Sequence, residues 1–232
     1  MIYLSRVKFS VIFVPLLILL LMGGYSTIPA KEEAMHPLDS AAGKTFYDRL
    51  GKVQEDIKTF KAVFVEKRSI ASLKAPLRFE GEIYYHHEGL FFMEYKKPID
   101  YVICVKGKEA IFYVKGSQTA DVADVSGVKG LAQHSDLFGM NPSRFRGQVW
   151  EGEKRYRLEE KEQGSGAENG GQNLTLFLNR KTLLVECIRI EDDYGDVTEI
   201  TLSDIKVNQE LPTFVLQFTL PKGVGRNRLD NP

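Results

Sequence analysis

The feature that most constrains this chain is a change of hydrophobic period. Phe46, Leu50, Val53, Ile57 and Phe60 recur at steps of four, three, four and three, which is one face of a helix, with Lys52, Gln54, Glu55, Asp56 and Lys58 on the wet side. Beyond them the period shortens to two. Phe79, Gly81, Ile83 and Tyr85 alternate with Arg78, Glu80, Glu82 and Tyr84, and Phe214, Leu216, Phe218 and Leu220 alternate with Val215, Gln217 and Thr219. One amphipathic helix over roughly 44–58 is therefore expected, followed by about ten short strands at 60–67, 78–85, 90–95, 101–105, 110–114, 156–160, 174–178, 183–191, 197–202 and 213–220. Turn residues punctuate them. Glu88-Gly89 and Lys106-Gly107-Lys108 read as hairpin turns, and Lys97-Pro98 ends a strand because proline cannot donate to a ladder.

Two stretches break the pattern. Residues 121–147 lose strict alternation and read as a short helix or irregular segment, and 163–172 form a Gly-rich exposed loop. The fold class that follows is mainly β (α+β): an incomplete antiparallel β-barrel, or strongly curved sheet, with a helical lid enclosing an apolar cavity. A sheet that is apolar on its concave side and polar outside either packs that side against a helix or leaves room for an apolar guest. Parity along the strands selects Phe64, Phe79, Ile83, Tyr85, Phe91, Met93, Ile103, Phe112, Leu176 and Leu202 as the lining, with Phe46, Leu50 and Val53 supplied by the lid. Met93 suits a variable guest, since a thioether adapts its shape. The indole N–H of Trp150 needs a partner if buried.

The start of the chain bounds where this domain works. Arg6 and Lys8 precede an uncharged run from Phe9 to Met22, the arrangement of a secretory signal. That run is about 14 residues, short of the ~20 that a membrane-crossing helix needs, so export with cleavage is expected ahead of a retained anchor. Thr27-Ile28-Pro29-Ala30 and Gly23-Gly24 are the alternative cut sites, and no Cys lies near either to carry a lipid. The expected organisation is a signal peptide (1–30), a flexible arm (31–43), one domain (44–225) and a short tail (226–232), with the mature protein in the periplasm.

Charge and chemistry exclude several classes. Lys plus Arg equal Asp plus Glu at 31 each, so no large field favours nucleic acid. Ser135-Asp136 beside His134, and Asp192-Asp193 near Asp196, lack the motifs that accompany a nucleophile or a carboxylate pair, so neither an enzyme nor a cofactor is expected. In His86-His87-Glu88, neighbouring side chains of a strand point to opposite faces, which argues against a metal site. Cys104 and Cys187 reach an oxidising compartment where pairing is permitted. A bond requires their α-carbons within about 7 Å, and the sequence leaves that open.

At the level of motifs, the chain resembles the LolA-type periplasmic outer-membrane lipoprotein carriers. The stretch from Phe60 to Lys67 is similar to the F-x-A-x-F-x-Q-K run that opens their sheet. Gly81-Glu82-Ile83-Tyr84, the hairpin Gly89 to Tyr95 and Lys97-Pro98 resemble the G-x-[LI]-[WY] strand, the P-x-L-[FL]-x-W hairpin and the x-P after it. Val105-Lys106-Gly107-Lys108 stands where the family has a D-G-K turn, and Pro221-Lys222-Gly223-Val224 resembles its closing P-x-G-V. The matches keep family order across residues 43–225.

The resemblance implies a monomeric carrier without covalent chemistry. It would take lipoprotein acyl chains from an inner-membrane ABC release complex and pass them to an outer-membrane lipoprotein receptor. One departure stands out. Where the family has Arg-Pro at the hairpin tip, the arginine contacting the lid, this chain has His87 and Glu88. His87 would donate a weaker, pH-dependent bond, and Glu88 cannot imitate the fixed turn of proline. A reading from another class is a periplasmic sensor or interaction protein that uses the same sheet to bind a lipid or protein segment.

Overall fold

The computed structural model describes residues 33–124, 148–159 and 172–229. The signal-like run, the 125–147 segment and most of the Gly-rich loop lie outside them. A two-residue strand β1 (His36–Pro37) precedes helix α1 (Ser40–Glu55). Six strands follow: β2 (Thr59–Ser69), β3 (Leu77–His86), β4 (Leu90–Lys97), β5 (Tyr101–Lys106), β6 (Glu109–Val114) and β7 (Thr119–Asp124). Then come β8 (Val149–Glu151), β9 (Arg155–Glu159), β10 (Gln172–Asn179), β11 (Val185–Asp192) and β12 (Val197–Val207). A one-turn helix α2 (Thr213–Leu216) and strand β13 (Gly225–Arg228) complete the described chain.

All thirteen strands belong to one curved sheet that does not close, in the order β1-β8-β9-β10-β11-β12-β2-β3-β4-β5-β6-β7-β13. Neighbours are antiparallel except β13, which runs parallel to β7. The expected mainly β class with an open, curved sheet is the observed one, whereas the inner face is filled by packed side chains. Helix α1 starts earlier than the apolar period alone indicates. Asp39 caps it by accepting the N–H of Ala42 at 2.8 Å, so the helix begins at Ser40 and ends at Glu55. The segment before it pairs with β8 through His36 and Pro37 rather than trailing as an arm.

The sheet is covered on its inner face and, over β3 to β7, on its outer face as well. Its inner face carries Phe60, Ala62 and Phe64 of β2, and the row Ile83, Met93, Ile103 and Phe112 runs in register across β3 to β6 beneath the same core as Phe46 and Leu50 of α1. One residue over, the row Tyr84, Phe92, Cys104, Ile111 and Val122 points outward. This outer row was expected to be wet and is instead the floor of a second core, closed by Leu211 and Val215 with Phe218, Leu220 and Val224 packed against it. Burial on both faces is why β4 reads as a continuous apolar run and not as an alternating one.

The covering segment corrects one expected strand. Residues 213–220 do not extend the sheet: after Pro212 the chain turns as α2 and continues as a strap across the outer face. The buried anchors are Leu211 and Val215, four residues apart, with Phe218 half-buried three residues on, so a helical period overrode the apparent alternation. Phe214, expected inward, is 51% exposed. The strap ends by pairing Gly225–Arg228 with β7, so residues 226–228 form an edge strand where a tail was expected.

Candidate functional site

The inner face gathers the whole parity-derived set. Phe46, Leu50, Phe64, Ile83, Phe91, Met93, Ile103, Leu176 and Leu202 are buried in one cluster, and Val53, Phe79, Tyr85 and Phe112 are half-buried against it. Helix α1 closes over them. Phe46 lays its ring 4.7 Å from that of Tyr156 on β9, and Leu50 is fully buried. The described side chains thus pack against one another, and a guest on this face requires α1 to move.

Towards the Ser69 end of β2 the inner face ceases to be apolar. Glu66 follows Phe60, Ala62 and Phe64 in the same alternation and is 2% exposed, the one buried charged side chain among the described residues. The Tyr95 hydroxyl donates to Glu66 Oε2 at 2.7 Å, and Arg68 Nε pairs with Glu66 Oε1. The Arg68 guanidinium also lies 4.7 Å over the Phe79 ring. Burial pushes the Tyr95 hydroxyl well above its ordinary pKa, with the Glu66 charge adding to it. For Arg68 burial acts downward, and the adjacent Glu66 carboxylate more than offsets it, leaving the guanidinium firmly charged. The site set omitted this polar end. The signal was present, since Glu66 occupies the Gln position of F-x-A-x-F-x-Q-K and shares parity with the oily residues before it.

His87 and Glu88 are exposed, and the contact is made by backbone: the His87 N–H donates to the Lys58 carbonyl at 2.9 Å, three residues beyond the end of α1. His86 and His87 do not diverge. Their rings stack at 5.0 Å and 19°, because β3 ends at His86 and His87 is already in the turn. The same exit from α1 is clasped on its other side. Asn208 Oδ1 accepts the Lys58 N–H at 2.7 Å while its amide nitrogen donates to the Asp56 carbonyl at 2.9 Å.

Cys104 and Cys187 are buried free thiols. Their strands β5 and β11 stand five spacings apart in the sheet, roughly 24 Å along it at about 4.8 Å per step, well beyond the reach of a disulfide. Trp150 Nε1 is buried without a hydrogen-bond partner among the described residues, with Arg157 lying 4.6 Å over its ring. Among the described residues there is no group of three His, Cys, Asp or Glu side chains suited to a metal, and no helix long and apolar enough to cross a membrane.

The sequence comparisons agree on one family. The sequence model described as outer membrane lipoprotein carrier protein LolA matches residues 55–219, from the end of α1 through all of β2 to β12 and into the strap. An outer-membrane lipoprotein carrier protein of Cupriavidus pinatubonensis is 25% identical over 179 residues, which is 76% of this chain and 84% of that one. A protein of the same description from Cupriavidus necator is 23% identical over 193 residues, 82% of this chain and 91% of its own. Among solved structures, a LolA superfamily protein from Nitrosomonas europaea aligns with a TM-score of 0.41 and 11% identity, covering 73% of this chain and 94% of its own. With an open curved sheet, a leading helix on its inner face and a family match across most of its length, this chain belongs to the LolA family of outer membrane lipoprotein carrier proteins.

Proposed function

We propose that this protein is a periplasmic carrier that binds the acyl chains of lipoproteins on the inner face of its sheet. In this reading it receives them from an inner-membrane ABC release complex and yields them to an outer-membrane receptor, by binding alone. The observation that carries the proposal is the apolar inner face of an open sheet, polar only at the Glu66 corner and covered by one helix whose buried side chains are Phe46 and Leu50.

The energetics favour exchange. Burying a large apolar side chain is worth about 1.5–3 kcal/mol, so freeing Phe46 and Leu50 alone costs on the order of 3–6 kcal/mol, to which the half-buried Tyr47, Val53 and Ile57 add. An acyl chain gains roughly 0.8 kcal/mol per buried methylene, on the order of 10 kcal/mol for a long one, which is the scale needed to offset release of the helix. Once the chain leaves, Phe46 and Leu50 return to the face and shield it from water. The sequence similarity to outer-membrane lipoprotein carriers supports the same cargo.

The test uses inner-membrane vesicles that hold a model lipoprotein and a competent release complex. Adding the mature protein should move lipoprotein into the soluble fraction as a one-to-one complex. If vesicles that respond to a known carrier release nothing to this protein, the cargo assignment is wrong, and a different lipid or a sensing role replaces it.

A further inference from the structure

A cavity lies apart from the packed inner face. It is a cleft of about 920 Å³ where the β8–β9 turn, the β10–β11 turn and the exposed side of α1 converge. Five cations and three carboxylates line it, in a chain whose formal net charge is zero, so the local excess does not follow from a generally basic surface. Part of that charge is already matched. Arg180 pairs with Glu151 at 2.7 Å, and Arg155 lies 3.7 Å from Glu33, whose carboxylate also accepts the Lys154 backbone N–H. The remaining acids keep their charge, Glu186 accepting a bond from the neutral Asn179 amide at 2.7 Å and Glu153 exposed, so with Glu33 the cleft carries a net excess of one cation.

Three cations remain without an ion-pair partner among the described residues: Arg49 from α1, Lys154 from one turn and Lys181 from the other. They come from three segments distant in sequence and meet only in the fold. From this convergence we infer that the cleft binds a phosphate group, held between Arg49, Lys154 and Lys181. A tetrahedral oxyanion offers oxygens to several donors at once, which a carboxylate with two oxygens does less well. The volume exceeds what an inorganic ion fills, so it accommodates a phosphate borne on a larger headgroup as well as a free one.

The cleft also adjoins the seam of the lid. Tyr156 lines it, bonds through its hydroxyl to Glu151 at 3.1 Å, and carries the Phe46 ring on its other side. A phosphate-bearing surface would therefore be met beside the edge of α1. The inference is independent of the acyl-carrier reading, and its test contains no lipoprotein.

At low salt the protein is titrated separately with phosphatidylglycerol vesicles, phosphatidylcholine vesicles and inorganic phosphate, following the heat of binding by titration calorimetry and vesicle flotation. The expected result is binding to phosphatidylglycerol vesicles or to inorganic phosphate, weakened at least tenfold in the Lys154→Glu/Lys181→Glu double variant and, through a separate element, in Arg49→Glu. Vesicle binding without a response to inorganic phosphate identifies a lipid headgroup, and a response to inorganic phosphate alone identifies a free ion. Each of these supports the site. Binding to neither probe, or equal binding by wild type and the folded variants, overturns it.

Discussion

Phe64 and Tyr95 lie on strands that do not touch, yet their rings meet edge to face at 5.0 Å across Gly81 of the strand between them. Gly81 is what permits the contact. A β-carbon there would fall 2.0 Å from the Glu94 carbonyl oxygen and 2.7 Å from the Phe64 ring. Neither neighbour can yield, because one is backbone at a bulge and the other a fully buried ring. Gly81→Ala is expected to lower stability by about 2 kcal/mol through overpacking, read as a lower urea midpoint at unchanged slope.

Glu66 anchors the same corner. Glu66→Ala leaves Arg68 and the Tyr95 hydroxyl without their shared partner and is expected to destabilise by about 3–5 kcal/mol. Glu66→Gln keeps an acceptor for Tyr95 and should lose distinctly less. Urea unfolding of both variants checks the order, and equal losses would show that the hydrogen bond to Tyr95 contributes nothing.

Asn208 works at the hinge of α1. It sits at φ 56, a left-handed conformation that asparagine tolerates, and from there it clasps both Asp56 and Lys58. Asn208→Ala removes both bonds and is expected to cost about 1–3 kcal/mol. Hydrogen exchange should accelerate first at the amides of Lys58 and Thr59, ahead of the β3–β4 ladder.

How much of this was legible in the residues varies with the rule that each element obeys. The inner face followed from parity because one period held from Phe60 to Phe64 and again from Phe79 to Tyr85, and a strand offers no other way to bury such a pattern. The strap did not. Phe214, Leu216, Phe218 and Leu220 alternate as well as any strand, and only the outer row of Tyr84, Phe92 and Cys104, awaiting a cover, selects the helical turn that buries Val215. Two-sided burial of β4 was equally hidden, since Leu90 to Met93 is apolar on both parities. Glu66 was overlooked because a charged residue in a strand is ordinarily assigned to solvent, whereas here Tyr95 and Arg68 satisfy it inside.

The two thiols make stability fall in alkali. Burial pushes the pKa of both Cys104 and Cys187 up to about 11 from 9.0. An acid whose pKa is raised by folding stabilises the native state below its unfolded pKa and loses that contribution as the pH rises through the folded value. Stability should therefore decline between about pH 9 and pH 11, by on the order of 2 kcal/mol per thiol. Replacing Cys104 by Val should flatten part of that decline. Native protein at pH 8 should leave both thiols unmodified by iodoacetamide, and unfolded protein should react at both.

The central claim is that cargo lies against the inner face beneath α1. A photo-crosslinking residue placed at Ile83 on that face, or at Cys104 on the outer face, tests it directly once an acylated lipoprotein is bound. The account predicts crosslinks to the acyl chain from position 83 and none from position 104. Crosslinks from 104 with none from 83, in a complex that still carries lipoprotein, would contradict it.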